Sequence, residues 1–392
     1  MNRGIKILAA FFLAVWLWGT GTVCCYGSTE KSQDKEQSTD QTDPEAAEGM
    51  LEEIEFGEIQ KMVDELLGEQ SFSLKEAVIN MINGEEPISK EAVRGVLYSF
   101  FFSGLENEKT LFFRLLLLVL LAAVLAGFVD VFENGQIGAV SFYVVYLVLF
   151  MMLMEAFGRL SSTLTVRLNW LGEFMKTLAP AYFLAVSTAN GVSTAAVFYE
   201  GVLLLVWMIQ WVLVNFLLPG VNLCILLKMV NYLSKEEMLS KMSELLEVVI
   251  SWALKTLIGL AVGLQVVKNL VAPVMDSLKR TAVGKTAGAI PGIGNAVNAI
   301  TQLILTSAVL VRNSFGAVIL VLIAAAGLQP LIHYGALSLS YRFLAALAQP
   351  VSDKRIVGAL STMGEGCAWL LKLLLTAQIL CMLAFLVLMA GG

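Results

Sequence analysis

The chain has 392 residues, of which 57% are hydrophobic and 15% charged, with a mean hydropathy of +0.76 and a formal net charge of −6. A soluble domain carries about 25% charged residues, so this composition excludes a soluble protein and turns most of the chain toward lipid. One histidine, His333, and five scattered cysteines without a CxxC pair exclude two-imidazole chemistry and a zinc site.

The charge is unevenly divided. Residues 28–110 carry 20 acidic and 7 basic side chains, whereas residues 111–392 carry 12 acidic and 17 basic. An acidic polar head therefore precedes a mildly basic membrane body. No dense basic patch with interleaved aromatics is present, so no nucleic-acid partner is expected.

Residues 1–27 read as a secretory signal peptide. Arg3 and Lys6 form the basic n-region, Ile7 to Trp18 the apolar h-region, and Cys25 and Gly27 suit cleavage before Ser28. Acylation at Cys24 or Cys25 is disfavoured, because Val23 or Cys24 stands where a small residue is wanted. Residues 28–50 are a low-complexity acidic tether without the apolar surface to repay ordering.

Residues 51–110 read as an amphipathic helical head. Phe56, Ile59, Met62, Val63, Leu66 and Leu67 recur at helical spacing. Ser73-Leu74-Lys75-Glu76 is a capping box that opens a second helix through Ile82. Pro87 and Ser89 open a third, with Val93, Val96, Leu97 and Phe100 on one face. Such faces usually pack within their own subdomain; partner docking is the alternative.

The membrane body begins at Leu111. Residues 111–173 hold two spans, Leu111–Phe128 and Val140–Phe157, and a connector. Phe174–Val197 is broken by Lys176, Pro180, Asn190 and Gly191. Val202–Leu218 is a strong span and Val221–Leu233 a short segment. Ser234-Lys235-Glu236-Glu237 opens an amphipathic helix to Glu247, and Val248–Val271 follows. A Gly-rich basic connector, 276–295, leads to Ala296–Val311, Phe315–Leu328, Leu331–Ala348 and Ala368–Met389. Five to eight crossings are expected in an all-α, polytopic helical membrane protein.

Orientation signals conflict. Lys279, Arg280 and Lys285 point one connector to the cytoplasm, and Lys354 and Arg355 another. A cleaved signal places the head outside. The turn after the first span then lies inside although acidic, with Asp130 and Glu133, and Arg159 and Arg167 fall in an outer turn. The segment 174–197 is therefore read as re-entrant.

An internal duplication is expected, with 174–275 as one half and 296–392 as the other. Pro180 and Pro219 have the same spacing as Pro291 and Pro330, and Trp252-Ala253-Leu254-Lys255 parallels Trp369-Leu370-Leu371-Lys372. Duplicated halves with broken helices are a transporter plan.

No catalytic, cofactor or metal site is expected. Gly284-Lys285-Thr286 is not a phosphate loop, since Lys279 stands where its first glycine is required. Gly284, Gly288 and Gly292 instead make a small-residue ladder suited to close helix packing, with a flexible connector as the alternative. Glu155, Lys176, Glu200, Lys255, Lys268, Arg312 and Lys372 interrupt apolar sequence. A mid-bilayer charge costs about 2.5–3.5 kcal/mol, so each must snorkel or find a partner. Glu200 is the sharpest case, with Arg312 or Lys255 as its candidate intramembrane partner. His333 reads as a structural histidine.

Two stretches carry a resemblance. They are Thr286-Ala287-Gly288-Ala289-Ile290-Pro291-Gly292-Ile293-Gly294 and Ser307-Ala308-Val309-Leu310-Val311-Arg312-Asn313-Ser314-Phe315-Gly316. With the signal peptide, acidic head and polytopic body, the chain resembles the stage III sporulation protein AE family over nearly its whole length. The resemblance implies a non-enzymatic, multi-pass subunit of the channel-like assembly between mother cell and forespore, in the mother-cell (outer forespore) membrane. It implies the other stage III A operon proteins and stage II sporulation protein Q as partners, and brings no catalytic residues. A secondary transporter with a site between the halves, or a scaffold without a conduit, is the alternative.

Overall fold

Leucine, valine and alanine runs, broken by few prolines, join into helices far longer than the segments read from the sequence. The computed structural model describes residues 56–67, 72–83, 135–190, 192–233, 239–287, 294–350 and 352–390, with single positions 49, 51, 113, 116, 117 and 120. No strand occurs among the described residues.

Among the described residues, two short helices precede the bundle in the region read as the head. α1 spans Gly57–Leu67 and α2 spans Leu74–Ile82. The Ser73 hydroxyl accepts from the backbone N–H of Glu76 at 3.3 Å, as the capping box requires. Gln60 splints the two helices: its Nε2 donates to the Phe72 carbonyl at 2.5 Å and its Oε1 accepts from Leu74 N at 2.8 Å. Ile59, Val63, Leu74, Ala77, Val78 and Ile82 are buried. The Phe56 ring meets Phe315 edge-on at 5.4 Å, which seats the head against one end of the bundle.

The bundle is built from α3 (Gly135–Asn190), α4 (Val192–Val212), α5 (Leu218–Asn231), α6 (Ser240–Ala287), α7 (Gly294–Ala348) and α8 (Lys354–Ala390). A π turn, Leu213–Leu217, joins α4 to α5 as one rod. Pro219 explains that turn. It has no N–H for the carbonyl of Asn215, so the ladder widens just ahead of it. The Asn215 amide then donates to the Trp211 carbonyl at 3.1 Å.

Among the described residues, five helical segments are long and apolar enough to cross a membrane: Tyr143–Leu184, Leu203–Asn231, Ser240–Gly263, Thr306–Ala348 and Lys354–Met389. They alternate in direction. α7 and α8 form an antiparallel hairpin whose pairings run in step from Gly316 against Met389, through Gly327 against Gln378, to Ser338 against Gly364. α8 is the hub, packed against α3, the α4–α5 rod, α6 and α7. α6 is the outlier: 17% of its apolar window is buried, against 39–56% for the other spans, because it packs chiefly on α5 and α8.

Several expected boundaries change. Val140–Phe157 and residues 174–190 of the next expected segment belong to one helix, and Arg159 and Arg167 lie inside it rather than in an outer turn. Ala296–Val311, Phe315–Leu328 and Leu331–Ala348 are likewise one helix, because the α7–α8 register continues through Pro330. Tertiary packing absorbs the proline that the sequence suggested as a break. Residues 276–287 of the expected Gly-rich connector are instead the end of α6, and Lys354 and Arg355 open α8, so the two basic stretches flank opposite ends of α7. The third head helix, Ser234 to Met238, most of Leu111–Phe128 and Pro291 lie outside the described residues.

Candidate functional site

Three helices bring three charged side chains together near the end of the bundle remote from the head. Lys228 sits on the last turn of α5, Glu247 on the second turn of α6 and Glu365 in the first half of α8. The Lys228 ammonium donates to Glu247 Oε1 at 2.5 Å and to Glu365 Oε2 at 2.9 Å. Lys228 and Glu247 retain 21% and 29% of their side-chain exposure and Glu365 41%, so the cluster is half-buried with one open side.

Local sequence explains why Glu365 reaches Lys228. It stands between Gly364 and Gly366, which let α8 approach its neighbours closely. A Cβ at Gly364 would lie 3.1 Å from the Ser338 carbonyl and 2.8 Å from Arg342 Cγ; one at Gly366 would lie 2.7 Å from Phe157 Cε2 and 3.2 Å from Ile225 Cγ1. Neighbouring polar contacts fix the end of α5. The Tyr146 hydroxyl donates to the Met229 carbonyl at 2.6 Å, and the Cys224 thiol to the Ser243 carbonyl at 3.6 Å.

The clasp belongs to a wider charged zone. Glu247, Arg342, Glu365 and Lys228 all lie within electrostatic reach of Lys372. The Lys372 ammonium rests 3.9 Å from the centroid of the Trp369 ring, a cation–π contact of the kind that shelters a cation in apolar surroundings. Three cations and two carboxylates thus sit in the half of the bundle away from the head. The arrangement ties α6, the least covered helix, to the hub. Among the described residues, no group of three His, Cys, Asp or Glu side chains is placed to hold a metal.

Glu200, Arg312 and Lys255 are not within ion-pair distance of one another. Glu200 is exposed on α4, Lys255 is exposed on α6, and Arg312 is half-buried on α7 with its guanidinium on the Asn313 side chain at 3.2 Å. The Gly220–Ile250 contact sets the depth of α5 against α6. Counted from it at 1.5 Å per residue, Glu200 lies about 20 Å closer to the head end than Lys255. Glu200→Ala is therefore expected to leave the melting temperature of the extracted protein within about 2 °C of the parent, as an exposed substitution should. Sporulation lost with that stability intact would assign Glu200 to assembly. Gly284 lies in α6, while Gly288 and Gly292 lie outside the described residues. His333 is half-buried against Tyr334, with ring centroids 5.6 Å apart.

The clasp was missed in the sequence because its members looked ordinary one by one. Glu247 closed an amphipathic helix, Lys228 interrupted a short apolar segment and Glu365 stood in a Gly-rich run. A signal was nevertheless present. Glu247 and Glu365 are 118 residues apart, the spacing that also relates Ser234 to Ser352.

The sequence profile described as stage III sporulation protein AE matches residues 72–392. The stage III sporulation protein AE of Bacillus subtilis (strain 168) is 22% identical over 368 residues, covering 93% of this chain and 92% of that protein. No solved structure matches the chain.

Proposed function

The chain belongs to the stage III sporulation protein AE family, and from that premise we propose that it is a non-enzymatic membrane subunit of a channel-like assembly joining mother cell and forespore. It is a multi-pass membrane protein of sporulation. The observation that carries the proposal is the packing of the bundle. The gap among Leu168, Leu171, Gly172, Val206, Gln210 and Cys381 holds about 20 Å³, and that beside Arg167, Gly327, Pro330 and Gln378 about 10 Å³. Such gaps have room for one water at most, far below the several hundred cubic ångströms of a solute site. Neither of these gaps among the described residues is a solute path, and the proposal places the path between chains.

In this proposal the partners are the other stage III A operon proteins and, from the forespore, stage II sporulation protein Q. The test is solute release from liposomes holding the full chain, alone and with those partners. Release that needs the partners supports the channel subunit. Gradient-coupled uptake by the chain alone would replace it with the transporter reading, and no release in either case with the chain still required for sporulation would leave a scaffold.

The proposed membrane is that of the mother cell, with a cleaved signal and the head outside. The head end of the bundle is then external and the Asp353–Arg355 turn cytoplasmic. Lys354→Cys is expected to react with an impermeant thiol reagent only after the cytoplasmic side is opened, and Lys75→Cys without opening, both positions being exposed. The reverse pattern would invert the orientation. The two-half organisation is part of the same proposal. Each half contributes a descending rod with a mid-length proline, Pro219 or Pro330, and a returning helix with a carboxylate in its first half and an exposed lysine, Lys255 or Lys372.

A further inference from the structure

The outward face of α3 is chemically unlike the outward faces of its neighbours. Between Glu155 and Lys176 one side of α3 is apolar and buried, through Phe157, Leu160, Leu164, Leu168, Leu171 and Met175. The opposite side exposes Glu155, Arg159, Ser162, Thr163, Asn169, Glu173 and Lys176, with Val166 the one large apolar side chain among them. At 1.5 Å per residue this polar strip is about 32 Å long, the thickness of the hydrocarbon core.

At the depth of the strip the rod and α7 turn large apolar side chains outward. The Tyr334 hydroxyl donates to the Leu160 carbonyl at 2.9 Å, and Gln210 of α4 abuts Gly172, which fixes the register of α3 against α7 and α4. At those levels Trp207, Trp211 and Phe216 of the rod, and Leu339 of α7, are 48–70% exposed. Glu155 and Arg159, at 72% and 66% side-chain exposure, pair at 3.9 Å. Lipid offers such a strip no hydrogen bonds, and each charge turned to hydrocarbon costs about 2.5–3.5 kcal/mol. An exposed polar face of this length belongs against water.

We infer that the Glu155–Lys176 face of α3 lines a water-filled conduit closed by at least one further copy of this chain. The inference deepens the channel proposal and rests on it. Two observations favour a second copy as the facing wall. Glu155 and Glu173 balance Arg159 and Lys176, so the same face from several copies lines one space without accumulating charge. On the same side of α3, immediately before the strip, Val144, Leu147, Val148 and Met151 are exposed and supply apolar surface on which copies can meet. The two gaps described inside the bundle are water-sized.

The test places single cysteines at Ser162, Thr163 and Val166 in the full chain, in membranes of sporulating cells, and follows labelling by a membrane-impermeant maleimide. Trp207→Cys and Leu339→Cys serve as lipid-facing controls at similar depth. The native Cys224, Cys367 and Cys381 are buried, and the unsubstituted chain gives the background. The strip positions are expected to react at least about tenfold faster than the controls, since a maleimide needs a hydrated thiolate. Thr163→Cys with a bifunctional maleimide should also yield a covalent dimer of this chain. Strip positions that label no faster than the controls would overturn the wet face. Labelling without a dimer would overturn the second copy and leave another protein as the facing wall. Solute release separates this inference from the channel proposal. Unlabelled strip positions with release intact sink the inference alone, whereas a labelled strip without release sinks the channel and leaves the wet face.

Discussion

Lys228→Met is expected to cost about 2 kcal/mol of stability and to reduce the ratio of folded to unfolded protein roughly thirtyfold. The two carboxylates explain the size. Glu247 and Glu365 each lie within 2.9 Å of the Lys228 ammonium, and removing it leaves two like charges facing each other in a half-buried space. A fully buried pair that loses one partner costs about 3–5 kcal/mol, and the residual exposure of this clasp lowers that figure. The triple replacement Lys228→Met, Glu247→Gln and Glu365→Gln should regain most of the loss, because it removes the stranded charges with the cation. Thermal unfolding of the detergent-extracted chain, read by fluorescence size-exclusion chromatography, checks both. A single Lys228→Met chain as stable as the parent would show that the clasp is a solvated surface contact. A triple variant no better than the single one would move the cost from charge to packing.

How much of this was legible beforehand differs by level. The class of protein was legible, because composition alone rules out a water-soluble surface. The Ser73 cap was legible too, since a capping box is a local arrangement of four residues and needs no tertiary information. Helix boundaries in the body were not. Pro180 and Pro330 read as breaks, yet both sit inside helices, because neighbouring helices hold the chain on course through each proline. Arg159 and Arg167 read as a turn for a related reason. They are polar in sequence, but only the burial of Phe157, Leu160, Leu164 and Leu168 around them reveals one amphipathic helix. Hydropathy averages both faces and reports the mean. The clasp was least legible of all, since its three residues span 137 positions from Lys228 to Glu365 and meet only when α5, α6 and α8 pack.

The close approach of α7 and α8 makes the sharpest steric prediction. A Cβ at Gly364 meets backbone as well as side chain: the Ser338 carbonyl at 3.1 Å and Arg342 N at 3.3 Å. Backbone atoms of a packed helix do not rotate aside, so α7 and α8 must separate to admit a methyl group. Separation also strains the bond from the Ser338 hydroxyl to the Gly364 carbonyl, 2.8 Å long and buried. At Gly335, on the same hairpin, the added atom meets Leu371 Cδ2 at an ordinary 3.9 Å. Helix propensity favours alanine over glycine by about 1 kcal/mol at either site, so packing alone decides the difference. Gly335→Ala is therefore expected to leave the melting temperature unchanged or raise it. Gly364→Ala should lower it, and Gly364→Leu should cost about 3 kcal/mol or more, in the range of severe overpacking. Because Glu365 follows Gly364, the same shift should pull its carboxylate from Lys228. Adding Glu365→Gln to Gly364→Leu should then cost less than it does in the parent chain, since the pair it removes is already broken. Fully additive losses in that double-mutant cycle would mean that α8 can move off α7 without disturbing the clasp.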